Sequence, residues 1–383
     1  MDNLTHSLVG LTAAKAGLEK LSPGATTLCL LATNAPDVDV AVLVFRGRWA
    51  YLHHHRGITH SIVGGLVLAI ALPLVFYLGS LLVARFRKRD SHVRFKGLLL
   101  ASALVTATHP ILDWTNNYGM RFLLPWNAKW FYGDFLFVLD PFFWIVLGGS
   151  AFLLTAETRK QISVWLVIGS LATVVVVVGS AGRNMSAGAN VFRVLWLIAL
   201  IVVVALYRAR IGHRLGARVA IAGLSIVIIY SAALAITHVF ALREANLQAA
   251  GIAAGRAEQV LRVTAMPTLA NPTEWLSISE TDRATYKFQV SLLHDAGTNA
   301  SIIRFEKPTG SSAEIIAKAE RDSRAQIFLG FARFPGFRVV GEDCLTQTIV
   351  QFADLRYTEP GTGRGTFSLD VPVDCPALDR SNK

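Results

Sequence analysis

The sequence His-His-His-Arg-Gly-Ile-Thr-His-Ser occupies residues 53–61 and is followed at once by an apolar run over residues 62–84. Imidazole, guanidinium and hydroxyl groups are costly to keep at the mouth of a membrane span, so such a stretch indicates a functional site. Neutral imidazole is a preferred ligand of zinc and related ions. The stretch therefore predicts a metal site at the end of a transmembrane helix.

Three further polar segments lie in equally apolar surroundings, at residues 5–7 (Thr-His-Ser), 34–39 (Asn-Ala-Pro-Asp-Val-Asp) and 109–113 (His-Pro-Ile-Leu-Asp). The histidine and aspartate of the last segment are four residues apart, which places them on one helix face about 6 Å apart. The two aspartates after the proline are expected on irregular backbone. Two carboxylates so near each other either share a proton or face a cation. We predict that the four polar segments converge on one site.

Each motif also has a structural interpretation. His109 and Asp113 are compatible with a buried pair that locks helix packing, Asp37 and Asp39 with a solvated acidic loop, and His6 with a lone packed histidine. An aspartate within a span costs roughly 3 kcal/mol on insertion scales, which favours a functional role for Asp113. Asp140 precedes a proline and is predicted to cap the helix that follows.

The composition indicates a membrane protein. Of 383 residues, 53% are hydrophobic and only 16% are charged, whereas soluble domains average about 25% charged residues. The net charge of +11 does not indicate a nucleic-acid partner, because many basic residues lie in short loops between apolar runs. Loops at residues 85–96, 157–161 and 208–218 are the basic ones, so the positive-inside rule predicts that they face the cytoplasm. The polar segments and the C-terminal region then face outside.

The apolar runs predict a helical multi-pass membrane domain of about six spans plus a short N-terminal hairpin, followed by a soluble α+β domain. The hairpin is expected from residues 4–21 and 25–34. The expected spans are residues 62–84, 97–115, 135–156, 162–180, 191–207 and 217–240. Three regions follow from this division: a metal-site domain (1–150), additional transmembrane helices (151–240) and the soluble domain (241–383).

The soluble domain shows alternating patterns. Strands are predicted at residues 286–293, 301–305, 337–340 and 348–352, with an alanine-rich helix at 241–262 and one amphipathic helix at 312–329. An outer location would allow Cys344 and Cys375 to form a disulfide.

The motifs together resemble the YdjM-like inner-membrane proteins, which are described as metal-dependent hydrolases. Five features carry the resemblance over about residues 1–150: Thr5-His6, Asn34 to Asp39, His55 to Ser61, His109 to Trp114, and Asn117-Tyr-Gly. The family is distantly similar to zinc-dependent phospholipases C and zinc nucleases. The resemblance implies a protein of the bacterial cytoplasmic membrane that hydrolyses a phosphoester.

The expected site combines the motif residues with the polar residues that follow them. Seven expected metal ligands are too many for one tetrahedral ion and favour two or three divalent ions, with zinc as the expected metal. The expected ligands are His6, Asp37, Asp39, His55, His60, His109 and Asp113. Arg56, with Asp39 and Thr59, is expected in catalysis, Arg56 by holding a phosphate bidentately. Residues expected to line the substrate side are Asn34, Asn116, Tyr118 and Arg121.

The expected substrate is a lipid or lipid-linked phosphoester that enters from the bilayer. Two other functions remain open. Intramembrane His and Asp residues also serve transporters and proton relays. A scaffold in which the metal is only a structural staple is the second alternative, since the soluble domain carries no recognisable catalytic motif.

Overall fold

A computed structural model describes residues 1–179, 187–269, 271–293, 301–341, 347–362 and 365–374. Cys344 and Cys375 lie outside the described residues, so their disulfide stays a prediction. The chain divides into two compact units: the first comprises Met1–Val38, Arg56–Thr237 and Pro267–Pro272, and the second comprises Asp39–His55, His238–Met266 and Thr273–Lys383.

The first two thirds of the chain is helical. Its α-helices are α1 (Asn3–Lys15), α2 (Ala25–Asn34), α3 (Ala41–His54), α4 (Ile62–Phe86), α5 (Phe95–Trp114), α6 (Pro141–Thr155), α7 (Arg159–Gly179), α8 (Ala187–Arg208), α9 (Ile211–Leu215) and α10 (Ala217–Ala254). Short 3-10 helices cover Leu18–Lys20, Ala35–Val40 and Ile58–His60. The predicted N-terminal hairpin corresponds to α1 and α2.

Among the described residues, five helical runs are long and apolar enough to cross a membrane: Ala25–His54, Ile62–Phe86, Phe95–Trp114, Arg159–Val178 and Ala217–Ala254. The predicted membrane domain is therefore present, while the number of spans stays a prediction. α6 is apolar but shorter than expected, because it begins only at Pro141. Its N-cap is Asp140, whose carboxylate accepts hydrogen bonds from the backbone N–H of Phe142 and Phe143, as predicted.

Close helix crossings hold α1, α2 and α5 together. A buried apolar cluster joins them through Ala14, Cys29, Ala32, Ala101 and Val105. At Gly10, an added Cβ would lie 2.8 Å from the Cys29 carbonyl oxygen, so glycine is needed where α1 crosses α2. This close packing fixes the height of α1 against the other two helices.

The C-terminal part forms antiparallel sheets, as the α+β prediction expected. One sheet has the order β1 (Val260–Thr268), β2 (Asn271–Thr281), β3 (Ala284–Ser291), β4 (Ile303–Glu306). The other has the order β5 (Pro335–Val340), β6 (Gln347–Asp354), β7 (Ser368–Asp374). The helices between β4 and β5 are α11 (Gly310–Ala319) and α12 (Ser323–Phe331).

Several local predictions differ from the structure. The single helix expected at residues 312–329 is two helices, because Asp322 caps a new helix with its carboxylate on Arg324 N–H. The helix expected at 241–262 is the continuation of α10, which ends at Ala254, and β1 begins at Val260. α3 and the strands β1, β2 and β7 were not predicted.

A buried carboxylate organises the first sheet. Glu258 accepts hydrogen bonds from Thr281, Tyr286 and Arg304 at 2.6 to 2.9 Å. Burial raises the pKa of Glu258, but these hydrogen bonds outweigh it and the net pKa is lowered from its usual value. The ionised carboxylate therefore links the start of β1 to β2, β3 and β4.

Candidate metal centre

Four side chains of the first unit form a compact group of possible metal ligands. Asp37, His60, His109 and Asp113 each offer one nitrogen or oxygen atom, and these atoms all lie within 4.8 Å of one another. Both histidines and Asp113 are at most 1% exposed. Three of the four predicted polar segments therefore meet here, although they are 23 to 76 residues apart in sequence.

The four candidate ligands lie at three helix ends. Asp37 lies on the 3-10 helix Ala35–Val40, which interrupts the α-helical path after α2. His60 ends the 3-10 helix Ile58–His60, and Ser61 then caps α4 by accepting a hydrogen bond from Gly64 N–H. His109 and Asp113 occupy one face of the last turns of α5.

The separations between the ligand atoms match a coordination shell. His60 Nε2 lies 3.2 Å from Asp37 Oδ1 and 3.6 Å from Asp113 Oδ2. His109 Nε2 lies 3.6 Å from Asp37 Oδ1 and 3.5 Å from Asp113 Oδ2. Ligands at 2.0–2.1 Å from a tetrahedral zinc ion are about 3.3 Å apart, so these four atoms fit around one ion.

A backbone hydrogen bond decides which ring nitrogen of His109 can bind a cation. The Nδ1 of His109 lies 2.6 Å from the carbonyl oxygen of Thr33, which can only accept, so Nδ1 carries the proton. In the neutral ring, Nε2 then carries the lone pair, and it has no hydrogen-bond partner among the described residues. It faces carboxylate oxygens of Asp37 and Asp113 at 3.6 and 3.5 Å. A neutral ring thus offers a cation three acceptors, whereas an imidazolium would pair directly with the two carboxylates.

Second-layer contacts orient the ligands, as is usual in metal sites. The Thr33 carbonyl fixes the ring of His109, and the Thr59 hydroxyl lies 3.0 Å from His60 Nδ1. Arg56 is buried and donates two hydrogen bonds to Asp113. Its Nη2 donates to the side-chain Oδ1 and its Nη1 to the backbone carbonyl oxygen of Asp113, each at 3.1 Å.

His6 joins the edge of the group from α1. Its Nε2 lies 3.3 Å from Asp113 Oδ1, and its ring stacks on that of His109 with centroids 3.8 Å apart. The backbone nitrogen of Met1 also contacts the Asp113 carboxylate. The fourth predicted segment is therefore present too, as a neighbour of Asp113 rather than a member of the four-residue group.

Asp39 and His55 form a separate pair. His55 Nδ1 lies 3.1 Å from Asp39 Oδ1 and 3.3 Å from Oδ2. Both residues belong to the second unit, so their participation in a metal cluster stays a prediction.

The expected substrate-side residues have partners within the protein. Asn116 is fully buried and accepts hydrogen bonds from Arg56 Nη1 and from Tyr118 N–H. The guanidinium of Arg56 lies over the ring of Tyr118, 4.6 Å from its centroid, and Arg121 lies over Trp130. Asn34 donates to Ser7 and to the Leu30 carbonyl. Contact between these residues and a substrate stays a prediction.

The structure adds residues that the motifs did not single out. Ser102 and Thr106 are buried on α5, and their hydroxyls have no hydrogen-bond partner among the described residues. With His109 and Asp113 they form one polar stripe along the helix. The spacing of 4, 3 and 4 residues is visible in the sequence, whereas the role of the Thr33 carbonyl is visible only in the structure.

Buried histidines and aspartates at helix ends of an apolar helical domain define this chain as a membrane protein with a candidate metal centre. Residues 1–184 match the family model of the YdjM inner membrane protein, so the resemblance seen in the motifs is confirmed over that part of the chain. An uncharacterized protein of Bacillus subtilis (strain 168), YfhP, is 30% identical over 155 residues, which cover 38% of this chain. The match spans 43% of that relative's length. No solved structure is significantly similar.

Proposed function

We propose that the protein is a membrane-bound, metal-dependent hydrolase that cleaves a phosphoester of a lipid or lipid-linked substrate. The observation that carries the proposal is the set of Asp37, His60, His109 and Asp113, whose ligand atoms lie within 4.8 Å of one another. Two imidazoles and two carboxylates are a donor set that suits zinc.

The chemistry expected of such a site is hydrolytic. A divalent ion held by these four residues would lower the pKa of a water and stabilise the negative charge that develops on a phosphoester. Zinc is the expected metal, in the two or three ions expected from the sequence. Arg56 positions Asp113, and Thr59 positions His60. Arg56 donates hydrogen bonds to Asp113, Asn116 and the Gly119 carbonyl oxygen. We therefore propose that it positions Asp113 and regard phosphate binding as its less favoured role.

The expected substrate follows from the surroundings. His60 lies just before the candidate span α4, and His109 lies in the last turns of the candidate span α5, so we expect the substrate to approach from the bilayer. The basic loops favour an opening on the outer side of a bacterial cytoplasmic membrane.

An ion or proton pathway is the second candidate, and the polar stripe on α5 favours it. Ser102, Thr106, His109 and Asp113 extend over twelve residues, or roughly 16 Å of helix, which is about half of a bilayer's hydrocarbon thickness. Buried hydroxyls without partners are unusual, and ionisable residues within a membrane span often mark a pathway for ions or protons.

The experiment is elemental analysis of detergent-purified protein together with phosphoester hydrolysis assays in liposomes. We expect bound divalent metal in the wild type, its loss in D113N and H60A, and unchanged metal in D140N. Asp140 is the matched control because it is equally buried, and asparagine still caps a helix.

Metal-free wild-type protein, or equal metal in D113N and D140N, would contradict the proposal. Metal-loaded protein that cleaves no phosphoester but carries ions across the same liposomes would favour the second candidate.

A further inference from the structure

An apolar cavity lies within the first unit, away from the four residues of the candidate metal centre. Its volume is about 550 Å³, and it is lined by residues of α1, α6, α7 and α8. This volume lies within the range of roughly 300–1,000 Å³ that is usual for ligand pockets. The hydrolytic chemistry proposed above does not use the cavity.

The indole N–H groups at its wall have hydrogen-bond partners within the protein. The indole N–H of Trp144 donates to Asp2 and Thr5, that of Trp165 to Thr155, and that of Trp196 to the hydroxyl of Thr173. The Thr173 hydroxyl itself donates to the Gly169 carbonyl. Since these donors are satisfied, the tryptophans offer the cavity their apolar ring surfaces, which suits hydrocarbon rather than a polar ligand.

The cavity opens sideways. Leu166, Val174 and Val204 line it and are 63%, 56% and 51% exposed. α7 is one of the candidate spans, so the surroundings of this rim are the hydrocarbon chains of the bilayer.

Glycine keeps the space open. At Gly169 on α7, an added Cβ would meet no atom within 4 Å. Small residues in membrane helices usually serve to bring helices together, but here no helix approaches. At Gly148 on α6, an added Cβ would reach only ordinary contact with Leu8, at 3.7 Å.

We propose that this cavity binds a single hydrocarbon chain of a bilayer lipid. The chain enters through the rim of α7 and α8 and lies against the tryptophan rings. This site is independent of the proposed hydrolysis and would exist in a transporter or scaffold as well.

α1 connects the cavity to the metal centre. Leu4 and Leu8 line the cavity, whereas His6 contacts Asp113. Residues two positions apart on a helix are about 200° apart around its axis, so α1 presents opposite faces to the two sites. A lipid bound in the cavity therefore lies across α1 from the candidate metal centre.

The test is photo-crosslinking in nanodiscs of phosphatidylethanolamine and phosphatidylglycerol. A phosphatidylcholine with a diazirine on one acyl chain is added at increasing mole fraction, and labelled peptides are identified by mass spectrometry. Labelling of α7 and α8 is expected to saturate, whereas labelling of the outer face of α4 should rise linearly. G169F fills the cavity and should abolish the saturable part.

G79F is the matched control, because Gly79 also lies in an apolar helix with no atom within 4 Å of an added Cβ. It should leave the labelling of α7 and α8 saturable, as should H60A, which tests the metal centre alone. G148V offers a second way to fill the cavity if G169F does not fold. Linear labelling of α7 and α8 in the wild type, or saturable labelling that survives both G169F and G148V, would overturn the proposal.

Discussion

At the scale of single residues, Arg56 has contacts that the sequence did not predict, and its expected phosphate binding stays a prediction. The sequence places it between His55 and His60, which are expected metal ligands, and favours phosphate binding. In the structure Arg56 is buried, and its guanidinium donates hydrogen bonds to Asp113, to Asn116 and to the Gly119 carbonyl oxygen. Planar guanidinium geometry allows several such bonds at once, which an ammonium group cannot reproduce.

We therefore expect R56K to weaken metal binding by about 10- to 100-fold, the usual effect of losing an outer partner of a ligand. Metal affinity is measured by competition with a chelator in detergent. The matched control is R94K, because Arg94 is exposed and its side chain donates to the Lys20 carbonyl. Equal affinities in the two variants would show that Arg56 does not position Asp113.

At the scale of elements, the start of α4 decides where His60 lies. The 3-10 helix Ile58–His60 packs directly on the first turn of α4. An added Cβ at Gly64 would lie 1.8 Å from the Ile58 carbonyl oxygen and 3.0 Å from the Thr59 Cα. Both atoms are backbone, so they cannot rotate away, and His60 must move with them.

G64A is accordingly expected to lower both the thermal stability and the bound metal. G65A, one residue further along the same helix, meets no atom within 4 Å and is expected to gain about 0.5–1 kcal/mol from helix propensity, with full metal content. Thermal unfolding and elemental analysis of the two variants make the comparison. Full metal retention by G64A would mean that His60 tolerates the shift or is not a ligand.

At the scale of the whole molecule, the distribution of basic residues predicts the orientation in the membrane. The loop between α4 and α5 is strongly basic, and so is the loop that precedes α10. The C-terminal residues follow α10, which is a candidate span. The positive-inside rule then places the first loop in the cytoplasm and the C-terminal unit outside.

The orientation is tested by single cysteines in a chain whose three native cysteines are replaced by serine. We expect S311C to react with a membrane-impermeant maleimide in intact cells, and D90C to react only after permeabilisation, since both positions are exposed. The reverse pattern would place the C-terminal unit in the cytoplasm and refute the proposed outer location.

The sequence by itself determined the features that depend on neighbouring residues. Apolar length predicted the membrane helices, Asp140 before a proline predicted a helix cap, and the spacing of His109 and Asp113 placed them on one face. The recurrence of polar segments in apolar surroundings identified all four members of the candidate centre. These features are local because hydropathy and helical spacing are read along a continuous stretch of chain.

Only the tertiary structure decided how the distant segments meet. It put Asp37 within 3.6 Å of His60 and His109, fixed the tautomer of His109 through the Thr33 carbonyl, and turned Arg56 toward Asp113. The sequence patterns also did not predict four elements, namely α3, β1, β2 and β7. The physical reason is that packing between helices, such as the close crossing at Gly10, sets these distances, and no local spacing encodes the height of one helix against another.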